Sequence, residues 1–272
     1  QLSYNNYNDI FSALAISKSL PKNQGTVIVK HTNPCGVSIN KNNLKSFKDA
    51  LACDPLSAFG GIVACNFKIK NKLAKEINML FFEVIVANGF DKKALRILKK
   101  KKNLRIIDST KTKIIDIENI LTNFNMMLIQ KPDLKKFTKK NFSLVSKNKP
   151  NSKTLKDLIF AFNICRFVKS NAIVIVKNNS TIGIGGGQPS RIDSCKIAIK
   201  KMNKFHNLRD SDEILAASDA FFPFVDGFEK LVQAGITGVI QPAGSIRDKE
   251  IIKFANETRT KLVFAKTRHF KH

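Results

Sequence analysis

"VIVKHTNPCGV", residues 27 to 37, opens as an uninterrupted apolar strand and closes on a lysine, a histidine and an Asn-Pro pair. Successive side chains of a strand point to opposite faces, so Lys30 and His31 can share a cleft only if the chain bends as the strand ends. Asn33, Pro34 and Gly36 supply residues for such a bend. An ammonium beside an imidazole disfavours the charged ring and leaves it able to accept a proton, while the ammonium itself can donate one or stabilise developing negative charge. On these residues alone two readings stand: an acid–base pair at the rim of a sheet, or two solvated side chains at a strand end.

Working outward, strand-length apolar runs recur at "TVIVK" (26–30), "GIVACNF" (61–67), "FEVIVAN" (82–88), "LRIID" (104–108), "NMMLIQ" (125–130), "NAIVIVKN" (171–178), "ITGVIQ" (236–241) and "KLVFAK" (261–266). Segments of helical period lie between them: "DIFSALAISKSL" (9–20), "TLKDLIFAFNICRFVKS" (154–170) with Thr154 as N-cap, "SRIDSCKIAIKKMNKF" (190–205) and "RDKEIIKFANET" (247–258). Strands alternating with helices build α/β layers. The polar, lysine-rich stretch 131–153, with two prolines, marks a subdomain boundary, dividing the chain into 1–150 and 151–272. No sequence repeat is visible.

At 272 residues and 43% apolar content the chain can bury a core. No run approaches the roughly 18 apolar residues of a membrane span, and the cytoplasm is the expected location. Five cysteines without a Cys-x-x-Cys pair argue against a disulfide framework or a zinc knuckle and read as reduced, mostly buried thiols. The net charge of +26 invites a nucleic-acid reading. Only eight of the 47 basic residues are arginine, however, and lysine comes with abundant Asn and Ile, as codon bias toward A and T produces. The run "KKALRILKKKKN" (92–103) therefore reads as a solvated helix end, and arginine is the informative cation. A basic nucleic-acid-binding module remains the alternative from another class, and a catalytically impaired fragment a further one.

Three more stretches can carry chemistry. "TIGIGGGQPSRIDS" (181–194) is a strand, a glycine-rich loop and a helix; its glycines allow main-chain N–H groups to approach an anion, with Arg191 in the first helical turn, yet it fits neither the dinucleotide nor the P-loop pattern. "SDAFFPFVDG" (218–227) sets Phe221, Phe222 and Phe224 around Pro223, a stiff wall for a flat ring or the packed core of a loop, with Asp219 and Asp226 in the same turn. "KTRHFKH" (266–272) is a terminus of the kind that usually frays, but the apolar strand before it would hold it near the sheet.

Together with "LSYNNYND", "DPLSAFGGIVACN", "FVKSNAIVIVKNN" and "QPAGSIRD", these stretches resemble, in order and over the whole chain, the formyltransferase part of the bifunctional purine biosynthesis proteins. Those proteins join 5-aminoimidazole-4-carboxamide ribonucleotide (AICAR) transformylase to inosine monophosphate (IMP) cyclohydrolase. The resemblance implies a three-layer α-β-α fold of tandem cytidine-deaminase-like subdomains without zinc, an intertwined homodimer, and formyl transfer from 10-formyltetrahydrofolate to the 5-amine of AICAR. Consistently, "NPCGV" lacks the Cys-x-x-Cys and His-x-Glu of a deaminase. It implies no catalytic metal; a structural monovalent cation is compatible with it.

By the same resemblance Lys30, His31 and Asn171 are catalytic. His31 manages the proton of the attacking amine, Lys30 assists the intermediate and the leaving folate nitrogen, and Asn171 hydrogen-bonds the carboxamide or oxyanion. Asn5, Arg191, Phe221, Arg268 and His272 fall around the nucleotide, and Leu56, Gly60, Glu83, Ile192, Pro223 and Ser245 on the folate side. The family's Arg-Tyr-Gly-Glu-Asn-Pro segment and its cyclohydrolase domain, which precede this region, have no counterpart in these residues, so no cyclization is expected from them. The partners expected are AICAR, folate and a second copy of the chain, with no nucleic acid and no membrane.

Overall fold

In the computed structural model, which describes residues 1–112, 118–135, 137 and 139–272, one order of elements occurs twice. A helix (α1, Tyr4–Ser19) leads into a hairpin (β1, Gly25–Lys30; β2, Asn33–Ile39), then a helix (α2, Asn43–Cys53) and a helical turn (α3, Pro55–Ala58). Three strands follow (β3, Ile62–Cys65; β4, Val84–Ala87; β5, Arg105–Asp108), joined through α4 (Asn71–Asn78) and α5 (Lys92–Leu98). A separate two-stranded ribbon (β6, Asn119–Asn123; β7, Met126–Gln130) and a short strand (β8, Phe142–Leu144) come next. The order then repeats: α6 (Ser152–Cys165), the hairpin β9 (Ile173–Lys177) and β10 (Ser180–Gly185), α7 (Arg191–Phe205), and β11 (Leu215–Ser218), β12 (Gly238–Pro242) and β13 (Lys261–Ala265), joined through α8 (Val225–Gln233) and α9 (Asp248–Glu257).

Apart from the ribbon, the strands form one mixed sheet in the order β5-β4-β3-β1-β2-β10-β9-β11-β12-β13-β8. Strand alternation sorts its side chains into two layers. Val27, Val29, Val174 and Val176 pack with Ile10 and Ile16 of α1 and Leu158 and Ile164 of α6 on one face. Ile28 packs with Phe47 of α2 and Leu73 of α4, and Ile173 and Ile175 with Ala198 of α7 and Phe228 of α8, on the other. The result is the expected three-layer α-β-α arrangement. All five cysteines are free and buried. Among the described residues no helix is long and apolar enough to cross a membrane.

The structure differs from the sequence expectations at particular points. The first bend comes earlier than Asn33-Pro34: Lys30 pairs with Asn33, so His31 and Thr32 are the two turn residues and Asn33–Ile39 is already the return strand. Pro34 is tolerated there because it adjoins a β-bulge in its own strand: Val29 pairs with Pro34 and Ile28 with Gly36, which leaves Cys35 without a ladder partner. Helix α1 starts at Tyr4 because Ser3 and Asn6 form a reciprocal capping box. Helix α6 is capped by Asn151, whose side chain accepts from the N–H groups of Lys153 and Thr154, so Thr154 lies inside the helix. "NMMLIQ" pairs only within the ribbon. Within the polar stretch 131–153, residues 136 and 138 lie outside the described residues.

Glycines on the second strand of each hairpin let the following helix sit directly on the backbone. A Cβ on Gly36 would lie 1.8 Å from the Ala50 carbonyl of α2, and one on Gly183 would lie 2.3 Å from the Ala198 carbonyl of α7. Because the obstacle at Gly183 is backbone and not the end of a flexible side chain, Gly183→Ala should lower the unfolding free energy by about 1–3 kcal/mol or more. Urea denaturation should show a lower midpoint with an unchanged slope.

Candidate active site

Strand direction brings the residues singled out by the sequence to one rim of the sheet. β1 ends and β2 begins there, and β3, β4 and β5, which run opposite to β1, start there. β10 ends and β9 begins on the same rim, and β11, β12 and β13 end on it. Lys30 and His31 therefore fall beside Leu56 and Gly60, which precede β3, and Glu83, which precedes β4. Asn171 precedes β9, and Arg191 and Ile192 open α7 after β10. Phe221 and Pro223 follow β11, Ser245 follows β12, and Arg268 and His272 follow β13. Asn5 is in the first turn of α1, beside Asn6, whose amide donates to Glu83 Oε2 at 2.7 Å.

The centre of the second stretch of rim is a buried charge. Asp219 has no exposed surface, and the Arg191 side chain is 8% exposed. One Arg191 guanidinium nitrogen donates to Asp219 Oδ1 and to Ser218 Oγ, the latter at 2.8 Å, and the other donates to Asn171 Oδ1 at 2.6 Å. The Asn171 amide nitrogen donates onward to the Gln188 and Pro189 carbonyls at 2.9 and 2.8 Å. Ser170 Oγ donates to the remaining Asp219 oxygen at 2.6 Å. The glycine-rich loop packs down to meet this network: Gly187 N–H donates to the Lys169 carbonyl at 2.7 Å, and a Cβ on Gly186 would lie 2.3 Å from Val168. Its carbonyls, more than its N–H groups, face the asparagine.

Around the network is a cleft of about 440 Å³ lined by Asn171, Ser190, Arg191, Ile192, Phe221, Pro223, Phe224, Asp226, Arg268 and Phe270, among others. Asn171, Pro189 and Phe270 also line an adjoining cleft of about 370 Å³ that includes His272. Aromatic walls with a few convergent polar groups suit a flat ring carrying an anionic tail. Ser245 lines neither cleft; its neighbour Arg247 stacks on Phe224 at 5.2 Å.

Lys30, His31, Asn5, Leu56, Gly60 and Glu83 lie on the first stretch of rim and line neither cleft. Lys30 Nζ donates to the Phe59 carbonyl at 2.8 Å, beside the exposed pair Phe59 and Phe81, whose rings are 5.3 Å apart. The two stretches are three inter-strand steps apart, β1 to β2 to β10 to β9, at about 4.8 Å each. The hairpin turn crosses that gap: Asn33 Oδ1 accepts from Lys169 N–H at 2.9 Å, and Lys271 Nζ donates to the Thr32 and Phe167 carbonyls, both at 2.9 Å.

Sequence reasoning missed three residues that build this junction. Asp9 accepts from the His31 and Thr32 N–H groups at 3.1 and 2.6 Å. Ser170 supports Asp219, and Lys271 spans the gap. Asp9 sits inside a helix and Lys271 among many lysines, so only position in space distinguishes them.

The AICARFT/IMPCHase bienzyme family model matches residues 1–201. The chain is similar to the bifunctional purine biosynthesis protein PurH of Buchnera aphidicola subsp. Schizaphis graminum (strain Sg), with 46% identity over all of this chain and 52% of that protein. The proteins of the same name from Persephonella marina (strain DSM 14350 / EX-H1) and Aquifex aeolicus (strain VF5) are 43% and 41% identical, again over all of this chain and 52% and 53% of their own length. The chain spans about half the length of the curated relatives it matches.

Burial pushes the Lys271 ammonium down to about 8 from an ordinary 10.5; Lys169 adds repulsion and Asp9 partly offsets it. Below about 8 the folded protein bears the full cost of the buried charge, and between about 8 and 10.5 the unfolded chain holds the extra proton. The stability of the protein relative to Lys271→Met should therefore be flat below about pH 8 and rise from there toward 10.5, measured by urea titration at successive pH values.

Proposed function

The chain belongs to the AICARFT/IMPCHase bienzyme family, and on that premise we propose that it performs formyl transfer in purine biosynthesis, from 10-formyltetrahydrofolate to the 5-amine of AICAR. The observation that carries this reading is the single rim, on which a basic pair, a buried arginine–aspartate network and an aromatic cleft follow one another. The amine of AICAR is a poor nucleophile because its lone pair is drawn into the ring and carboxamide. It attacks the formyl carbon, the carbonyl electrons move to oxygen, and His31 takes the amine proton. Collapse of the tetrahedral adduct breaks the bond from carbon to the folate nitrogen, and Lys30 supplies that nitrogen's proton.

On this reading the aromatic cleft takes the imidazole and ribose, with Arg268 and His272 at its open side near the phosphate. Asn171, locked by Arg191 and the glycine loop, turns one N–H from Pro189 to the substrate's carboxamide or oxyanion. The exposed Phe59 and Phe81 rings beside Lys30 offer stacking area for the flat folate, next to Leu56 and Gly60. The cyclohydrolase half of the pairing would belong to the length of the relatives outside the matched segment.

A specific observation supports a homodimer. Ile120, Leu121, Phe124 (93% exposed), Met126, Met127, Leu128 and Ile129 all stand open to solvent on the ribbon. A two-stranded ribbon is marginal alone, and so large an apolar patch needs a cover. A second copy supplies one of matched chemistry. Light scattering should give twice 30.4 kDa, and Leu121→Glu with Leu128→Glu, directly opposed on the ribbon, should give monomers with reduced turnover.

The purified chain supplied with AICAR and 10-formyltetrahydrofolate should release tetrahydrofolate. His31→Ala should lower that rate by about 100-fold or more while nucleotide affinity changes little. Near-normal turnover in this variant would remove His31 from the mechanism, and no turnover by the unaltered dimer would remove the reaction.

A further inference from the structure

The two hairpins of the repeated order reverse in the same left-handed way, but only one does so with residues suited to it. β9 turns into β10 through Asn178 and Asn179, at φ 50° and 57°. β1 turns into β2 through His31 and Thr32, at φ 51° and 60°. Asparagine tolerates this region, whereas a β-branched residue such as Thr32 is an outlier there. A backbone of this kind is strained and persists only where its surroundings over-determine it.

The surroundings do so completely. All four main-chain polar atoms of the pair are held by side chains. Asp9 takes both N–H groups at 3.1 and 2.6 Å, Asn33 Nδ2 donates to the His31 carbonyl at 3.1 Å, and Lys271 Nζ donates to the Thr32 carbonyl at 2.9 Å. Among these Asp9 alone reaches two of the four atoms, and it does so from α1, a helix that packs on one face of the hairpin and takes no part in its ladder. The task needs a carboxylate: each of its oxygens faces an N–H donor, and an asparagine there would turn its own NH₂ toward one of them.

We propose that Asp9 is a positioning residue for formyl transfer: by accepting both turn amides it holds His31 and Thr32 left-handed and so fixes the direction in which the His31 side chain leaves the rim. The proposal rests on the formyl-transfer reading for its kinetic consequence, and on geometry alone for its structural one. A misplacement of about 1 Å can cost on the order of 100-fold in rate without weakening binding.

The test uses the whole chain. In Asp9→Asn, kcat should fall about 10- to 100-fold with KM for both substrates within about threefold. Adding Thr32→Gly, which accepts the left-handed backbone without strain, should recover about tenfold of that loss. A purely structural Asp9 would instead lower thermal stability and leave kcat of the folded fraction unchanged. Amide hydrogen exchange gives the second arm: the His31 and Thr32 N–H groups should be protected in the unaltered protein and exchange at least tenfold faster in Asp9→Asn. Unprotected turn amides in the unaltered protein, a kcat within twofold in Asp9→Asn, or no recovery with Thr32→Gly would each overturn the proposal. Should His31→Ala prove fully active, the kinetic reading falls while the exchange arm still judges whether Asp9 holds the turn.

Discussion

The site depends on how two hairpins meet at the middle of the sheet. β2 and β10 share a main-chain ladder only at Ser38 and Ser180, and buried hydroxyls complete the seam. Ser38 and Ser180 hydroxyls lie 2.8 Å apart, and Thr181 Oγ1 accepts from Val37 N–H at 2.9 Å while lying 3.2 Å from the Val37 carbonyl. A sheet-centre contact made through side chains is permissible because each buried polar atom finds a partner. Its antiparallel sense matters most: it puts the end of β1 and the start of β9 on one rim. A parallel seam would have sent His31 and Asn171 to opposite ends of the molecule.

Much of that rim was legible because its markers are local. A glycine-rich loop between a strand and a helix, and a loop of phenylalanines around a proline, declare themselves by residue type. So did the α/β layering, because strand-length runs such as Ile173–Lys177, with four β-branched residues in a row, and Lys261–Ala265, apolar after its first residue, stand out by composition. The seam was also half visible, since the short alternating stretch at Thr181 read as a strand.

The first turn was not legible, for a physical reason. Turn chemistry in the sequence points to Asn33-Pro34, and in isolation that pair would have made the bend. The protein instead bends at His31-Thr32, a conformation imposed from outside by Asp9, 22 residues upstream, and Lys271, 239 residues downstream. Local propensity lost to tertiary contacts, and it lost at the place where the candidate proton carrier sits, as expected where strain is retained for function. Strand β11, Leu-Ala-Ala-Ser, escaped for the opposite reason: its residues are too small to signal a strand, and burial between β9 and β12 defines it.

The repeated order raises the question of what distinguishes the loop junction beside the two clefts from the matching junction of the first passage. The residue directly after the first parallel strand is Asn66 in one passage and Asp219 in the other. Both are buried and both touch the segment entering their hairpin. Asn66 satisfies itself locally: its carbonyl oxygen accepts from the Gln24 and Gly25 N–H groups at 3.0 and 2.8 Å, and its amide donates to the Ser17 and Pro21 carbonyls at 3.0 and 2.9 Å. A neutral amide with both ends occupied seals the loops against one another. Asp219 cannot do this, because a buried carboxylate without a cation is prohibitively costly. It draws in Arg191 from the first turn of α7, where the first passage has Asn43. The arginine, once there, has a second nitrogen to spare, and that nitrogen orients Asn171. Carboxylate in place of amide, together with arginine in place of asparagine at the start of the following helix, thus distinguishes the polar wall of a cleft from a self-satisfied loop junction in a duplicated framework.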